Sequence, residues 1–70
     1  MVYIVIEVQS DGITAATIVN SYTDRNEAES RYHQILTAAA ISTVKLHSAF
    51  LITDRGLTIK AETYEHEAEE

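Results

Sequence analysis

The sequence predicts an α+β fold of ββαββ order: a four-stranded, mainly antiparallel sheet with one helix packed on one face. Apolar residues alternate near both ends of the chain, a glycine turn divides each alternating stretch, and the middle follows a helical period. We assign residues 1–64 to a single domain and 65–70 to an acidic tail. A domain this small, with 0 Cys, has no disulfide to support it, and self-association is a common remedy.

The first hairpin is predicted from the alternation of apolar residues at the even positions 2 to 8. Asp11-Gly12 follows and suits a two-residue type I′ turn, because both residue types tolerate a positive φ. Such a turn sets Ser10 opposite Ile13. Strand two is then expected to run from residue 13 to residue 22.

The helix is predicted to begin after Asp24, whose carboxylate can accept hydrogen bonds from the first free backbone N–H groups. Glu27, three residues later, completes a pair that resembles a capping box. The residues that follow with helical spacing on one side are apolar. They are Ala28, Tyr32, Ile35, Leu36 and Ala39.

The second hairpin is predicted around a two-residue Arg55-Gly56 turn, which places Phe50 opposite Ala61 and Ile52 opposite Ile59. Strand one is apolar on both faces and is therefore expected at the centre of the sheet. Pairing it parallel with strand four gives a β-grasp-like order of 2-1-4-3. A dimer whose sheets join at their edges is the competing arrangement.

The even-numbered face of strand one is the expected core, beneath the helix. The predicted core residues are Val2, Ile4, Ile6, Val8, Val19, Tyr32, Ile35, Leu36, Leu46, Phe50, Ile52 and Ile59. The opposite face is then left open, and an apolar, aromatic sheet face of this kind is typical of an oligomer contact. The candidates for that contact are Tyr3, Val5, Ile18, Tyr22, Leu51 and Tyr64.

Basic and aromatic side chains supply the candidates for binding a small anionic ligand or a partner. They are Arg25, Arg31, Tyr32, His33, Lys45, His47 and Lys60. The three histidines do not share a metal-ligand spacing, and no cofactor motif is present, so we expect neither a metal nor a cofactor. His47 and Ser48 are neighbours on a strand and point to opposite faces, which argues against a nucleophile and base pair. We therefore expect no catalytic residue and no enzyme.

The charge of the chain is concentrated at its end. The formal net charge is -6, and residues 62–70 supply five glutamates with no lysine or arginine. This balance argues against nucleic acid as a partner. The apolar run after Met1 stops at Glu7 and is too short for a signal sequence or a membrane span. We expect a protein without a membrane partner, made and used in a cytoplasm.

Residues 21–33 (SYTDRNEAESRYH), 38–42 (AAAIS) and 47–49 (HSA) resemble short proteins of unassigned function that phages and prophages of gut bacteria encode. The resemblance extends over most of the chain and implies a phage-associated accessory protein in the cytoplasm of a bacterial host. We therefore expect a non-enzymatic, homo-oligomeric binding protein that sequesters a small host signalling ligand, such as a defence nucleotide, or blocks a host protein. The alternative is a structural or assembly component of the virion.

Overall fold

The structure is a computed structural model that describes residues 1–66, and it confirms the α+β fold. Four strands of 8 residues each form one sheet, and a helix of 16 residues packs on it. The elements follow the predicted ββαββ order. They are β1 (Tyr3–Ser10), β2 (Ala15–Tyr22), α1 (Arg25–Ala40), β3 (Leu46–Thr53) and β4 (Thr58–Glu65).

The strands lie in the order β2-β1-β3-β4, and every neighbouring pair is antiparallel. β1 is central, as predicted, but the β-grasp-like order 2-1-4-3, with β1 parallel to β4, is wrong. The composition of the last two strands explains the difference. β3 is mostly buried, whereas β4 carries Lys60, Glu62 and Glu65. Charged side chains suit the edge of a sheet, where they discourage pairing with another chain.

The first hairpin has a longer loop than predicted. Ser10 pairs with Ala15, so four residues form the loop instead of two. Asp11 Oδ1 accepts hydrogen bonds from the backbone N–H groups two and three positions on, both at 2.8 Å. Gly12 has a φ of 93°, and no other residue of this loop has a positive φ. A type I′ turn requires two such residues, and the contacts of Asp11 stabilise the wider loop instead.

The second hairpin agrees with the prediction in the middle of its strands and departs from it near the turn. Phe50 lies opposite Ala61, as predicted, but Ile52 lies opposite Thr58 and not opposite Ile59. A β-bulge just before Ile52 accounts for the shift. The freed Ile59 side chain packs against the core instead.

The helix begins and packs as predicted. Asp24 is the N-cap, and its carboxylate accepts a hydrogen bond from the backbone N–H of Asn26 at 3.2 Å. The predicted apolar stripe is the buried side of the helix. Ala28, Tyr32, Ile35 and Ala39 are buried, and Leu36 packs against the same core.

The helix covers the face of the sheet that was predicted to be open. It packs against Val5, Ala49 and Leu51, which lie on the odd-numbered face of β1 and β3. Val5 and Leu51 have no exposed surface, so their assignment to an open oligomer surface is wrong. The predicted core of the sheet lies on the other side, which we call the apolar face. Its large side chains are Ile4, Ile6, Val8, Val19, Leu46, Phe50 and Ile52.

The handedness of the β2–α1–β3 connection explains which face of the sheet the helix covers. The backbone N–H of Asp11 donates to the carbonyl of Thr14 at 3.3 Å, so the odd residues of β1 exchange hydrogen bonds with β2. β2 and β3 are both antiparallel to β1, hence parallel to each other. With this pairing a helix on the odd face makes a right-handed β2–α1–β3 connection, the hand found in about 98% of such connections. The predicted two-residue turn would have placed the helix on the even face.

The C-terminal end of the described chain contacts the end of the helix. β4 continues to Glu65, one residue beyond the predicted domain boundary. The backbone N–H of His66 donates to the carbonyl of Lys45 at 2.7 Å, and the His66 ring contacts the carbonyl of Ala39 at 2.8 Å. The rest of the predicted acidic tail, 67–70, lies outside the described residues.

Candidate functional site

A buried polar cluster lies between the sheet and the helix, centred on Glu7. The Nε2 of His47 donates to Glu7 Oε2 at 2.6 Å, and the amide of Gln9 donates to the same oxygen at 3.1 Å. Arg31, on α1, approaches the other carboxylate oxygen at 3.9 Å. The register of β1 and β3 brings these groups together, since Gln9 lies opposite His47 and Glu7 lies opposite Ala49.

This cluster is closed to solvent on its histidine side. His47 is 3% exposed and Glu7 is 8% exposed. Within residues 1–66, the buried Nδ1 of His47 has no hydrogen-bond partner. Ser48 lies on the apolar face, where its hydroxyl is 2.9 Å from that of Thr63, and so does not meet the imidazole. This separation agrees with the prediction from strand geometry.

A second, more exposed cluster is centred on Glu29 of α1. Arg25 Nε donates to Glu29 Oε2 at 2.8 Å, and Lys60 Nζ donates to Glu29 Oε1 at 2.8 Å. These bonds, the one from Lys60 above all, lower the pKa of Glu29 from 4.5 to about 2. The cluster joins the N-terminal half of the helix to β4.

The predicted ligand-binding residues therefore do not form one basic patch. Arg31 and His47 approach Glu7, while Arg25 and Lys60 pair with Glu29. The other three candidates are spread over the surface and the core. They are Lys45, His33 and Tyr32.

Lys45 is exposed beside the first hairpin, with its Nζ 3.6 Å from the position that a Cβ on Gly12 would take. His33 is exposed on the helix, and its ring meets that of Tyr32 edge-on, with centroids 5.5 Å apart. Tyr32 itself is buried, and burial raises the pKa of its hydroxyl. None of these three side chains is hydrogen-bonded to Glu7 or Glu29 within residues 1–66.

The predicted oligomer-surface residues all lie on the covered side of the sheet. Tyr3 and Tyr22 pack against the core beneath the helix. Ile18 and Tyr64, on the two outer strands, keep 48% and 36% of their surface exposed. The sequence pattern correctly grouped the large aliphatic residues on one face of the sheet. The helix, however, covers the opposite face.

The apolar face is the larger candidate surface. Its residues come from all four strands, and none of them is lysine or arginine. Glu65, opposite Leu46 at one corner, is the charged residue that the strand pairing places there. Val19 is 59% exposed, and the other large side chains are half-buried by their neighbours in the sheet. The face therefore offers an almost uncharged hydrophobic surface for contact.

Two shallow depressions flank the sheet. One, of about 320 Å³, lies beside the first hairpin and is lined by residues that include Gln9, Asp11 and Val44. The other, of about 330 Å³, lies at the opposite end of β2 and includes Tyr22 and Glu27. Neither contains the cations of the glutamate-centred clusters.

Two further features are absent from residues 1–66. In this part of the chain, no three His, Cys, Asp or Glu side chains come close enough together to hold a metal ion. α1, the helix in this range, is too short and too polar to cross a membrane.

Comparison with known proteins gives no family. No protein-family model matches the chain, and none of the curated proteins or solved structures is significantly similar to it.

Proposed function

We propose that this chain is a non-enzymatic binding protein that works as a homo-oligomer, in which two copies pack their apolar faces together. The observation that supports the proposal is the absence of any covering element over that face within residues 1–66, although it carries most of the large aliphatic side chains of the sheet. Burying apolar surface contributes about 25 cal/mol per Å². Monomeric proteins seldom leave such a continuous patch in water.

A second copy of the chain is the occupant that fits. Strands of 8 residues in a sheet of four, at ~3.3 Å per residue and ~4.8 Å between strands, give a face of roughly 500 Å². Two such faces bury roughly 1,000 Å² in total, at the lower end for a specific interface. Stacked sheets pack face to face in this way, and a two-fold axis lets the same surface serve both copies.

The ligand-binding part of the proposal is supported by the resemblance to phage-encoded proteins and by the exposed polar groups. We expect the oligomer to sequester a small anionic host ligand, or to block a host protein, as a phage accessory protein in the host cytoplasm. His33 and Lys45 are exposed and lie outside the glutamate-centred clusters, so they are the first candidates for the ligand contact. A virion assembly role is the alternative that the tests below must separate.

The first test measures the assembly itself. Size-exclusion chromatography with light scattering should show an oligomer for the unaltered chain at high micromolar concentration. Phe50→Glu places a charge at the centre of the apolar face and should halve the mass. Ile41→Glu is the matched control, because Ile41 is 84% exposed at the end of the helix and should leave the mass unchanged.

A milder variant covers the case in which Phe50→Glu does not fold. Ile6→Thr keeps the β-branched shape in the centre of β1 and should lower the association constant, with an unchanged circular dichroism spectrum. A monomeric unaltered chain, or equal masses for all variants, would contradict the use of the face.

The second test concerns the ligand. A thermal-shift screen against cyclic and linear nucleotides should raise the unfolding temperature, since a ligand at one hundred times its dissociation constant adds ~2.7 kcal/mol of stability. The shift should be smaller in the His33→Ala variant. No shift with any nucleotide, together with finding the protein in purified phage particles, would favour virion assembly instead.

A further inference from the structure

The two edges of the sheet differ in whether another strand can add to them. β4 is protected by Lys60, Glu62 and Glu65 and by the bulge in its pairing with β3. β2 consists of 8 residues (AATIVNSY) with no charge, glycine or proline. Charged residues, prolines and bulges are the usual means of blocking an edge, and a long, uncharged edge strand without them is a template for pairing.

The outward backbone groups of β2 follow from the hydrogen bonds of β1. The N–H of Asp54 donates to the carbonyl of Val2 at 3.0 Å, so the even residues of β1 bond to β3 and its odd residues bond to β2. The even residues of β2 lie opposite those odd residues, and their backbone N–H and C=O groups bond to β1. The odd residues Thr17, Val19 and Ser21 therefore direct their N–H and C=O groups away from the sheet.

We propose that two copies of the chain join by antiparallel pairing of β2 with β2, about a two-fold axis perpendicular to the sheet. Side chains opposite each other in a pair must share a face, so an even residue meets an even residue. With Ile18 opposite the partner's Ile18, Thr17 bonds with the partner's Val19 and Ala15 with the partner's Ser21. This register engages more of the outward groups than one centred on Val19.

This pairing has a definite consequence for shape. A two-fold axis perpendicular to the sheet leaves the covered faces of both copies on the same side. The two helices therefore lie on one side of an eight-stranded sheet, and the two apolar faces form one continuous surface on the other side. That surface measures roughly 1,000 Å². Two such dimers can then pack face to face in a closed assembly of four copies that buries roughly 2,000 Å² in that contact. Only this second step rests on the proposed function.

Ile18 offers a direct test because the chain contains 0 Cys. In the proposed register its side chain lies on the two-fold axis, in a pair without hydrogen bonds, where opposite Cβ atoms are ~4.5–5.5 Å apart. The Ile18→Cys variant should form a disulfide-linked dimer under mild oxidation. It should do so roughly tenfold faster, or more, than the Ile41→Cys control, because pairing raises the effective concentration of the thiols. Equal rates would overturn the register.

A pair of proline variants tests the edge independently. Thr17→Pro removes an outward N–H of β2 and should halve the mass of the assembly. Thr63→Pro is the matched control, because the β3–β4 pairing directs the N–H of Thr63 outward on the opposite edge, and it should leave the mass unchanged. An unchanged mass for folded Thr17→Pro would overturn the proposal.

Combining the variants separates the two contacts. Phe50→Glu should leave a dimer joined at β2, Thr17→Pro should leave a dimer joined at the apolar faces, and the double variant should be a monomer. If Phe50→Glu has no effect while Thr17→Pro halves the mass, the edge pairing stands and the proposed face contact is wrong. The reverse result retains the face contact and overturns the edge pairing.

Discussion

The covered face and the apolar face of the same sheet differ in what their side chains require. The covered face combines small and apolar residues, such as Ala49 and Val5, with the Glu7–His47 pair. The two polar side chains of that pair require hydrogen-bond partners because they are buried. The apolar face carries more of the large aliphatic residues and lies away from the helix. Hydrophobic alternation therefore identifies the residues that share an apolar face of the sheet, but not which of the two faces the helix covers.

The largest expected effect is on the covered face, at Leu51. Leu51→Ala removes a fully buried side chain beneath the helix and should lower the free energy of unfolding by about 2–5 kcal/mol. Its neighbour Ile52 is the matched control on the other face. Measured by urea unfolding at a dilution at which the chain is monomeric, Ile52→Ala should cost less than half as much. Equal losses would contradict the assignment of the two faces.

The next effect concerns the buried hydrogen bond between Glu7 and His47. Glu7→Ala leaves His47 without its carboxylate partner and should lower the free energy of unfolding by about 1–3 kcal/mol, the usual cost of leaving a buried polar group without a hydrogen-bond partner. The double variant Glu7→Leu with His47→Leu removes both polar groups and should recover most of that loss. Urea unfolding measures both. A double variant as unstable as Glu7→Ala would mean that the polar contacts with Gln9 and Arg31 carry the stability instead.

The smallest effect is expected at the rim of the covered face, where Glu29 pairs with Lys60 and Arg25. The pKa of Glu29 is lowered from 4.5 to about 2 in the folded chain, so its ionised form stabilises the fold. That contribution is present above pH 4.5 and is lost as the pH falls towards about 2. Glu29→Gln should therefore flatten the fall of the urea midpoint over this range. An unchanged pH profile would show that the pair adds nothing to stability.

Much of the fold can be predicted from local sequence signals. The alternation of apolar residues identifies β1, Asp24 and the apolar stripe identify α1, and the two glycines mark the turns. The wrong choice of the face that the helix covers has one physical origin, because Asp11 favours a four-residue loop over the tighter Asp11-Gly12 turn. Two extra loop residues change which residues of β1 bond to β2, and the right-handed connection then moves the helix to the other face.

The candidate site is less accessible to sequence reasoning. Glu7 and His47 are 40 residues apart and Glu29 and Lys60 are 31 apart, and both pairs depend on strand order and register. His47 and Lys60 are among the residues predicted to bind a ligand, but Glu7 and Glu29 are not, because no local spacing links each glutamate to its partner. The open edge at β2 is different, because the contrast between an uncharged second strand and a charged fourth strand is visible in the residues themselves.

The contact between the His66 ring and the carbonyl of Ala39 has a practical consequence for attaching labels. It fixes the chain at position 66 beside the end of α1, on the far side of β1 and β3 from β2. A fluorophore or affinity handle joined directly after residue 66 would start from the helix side, next to β4. A label at this position should therefore be compatible with both proposed contacts, whereas the loop after Ser10 adjoins β2 and is the less suitable place for an insertion.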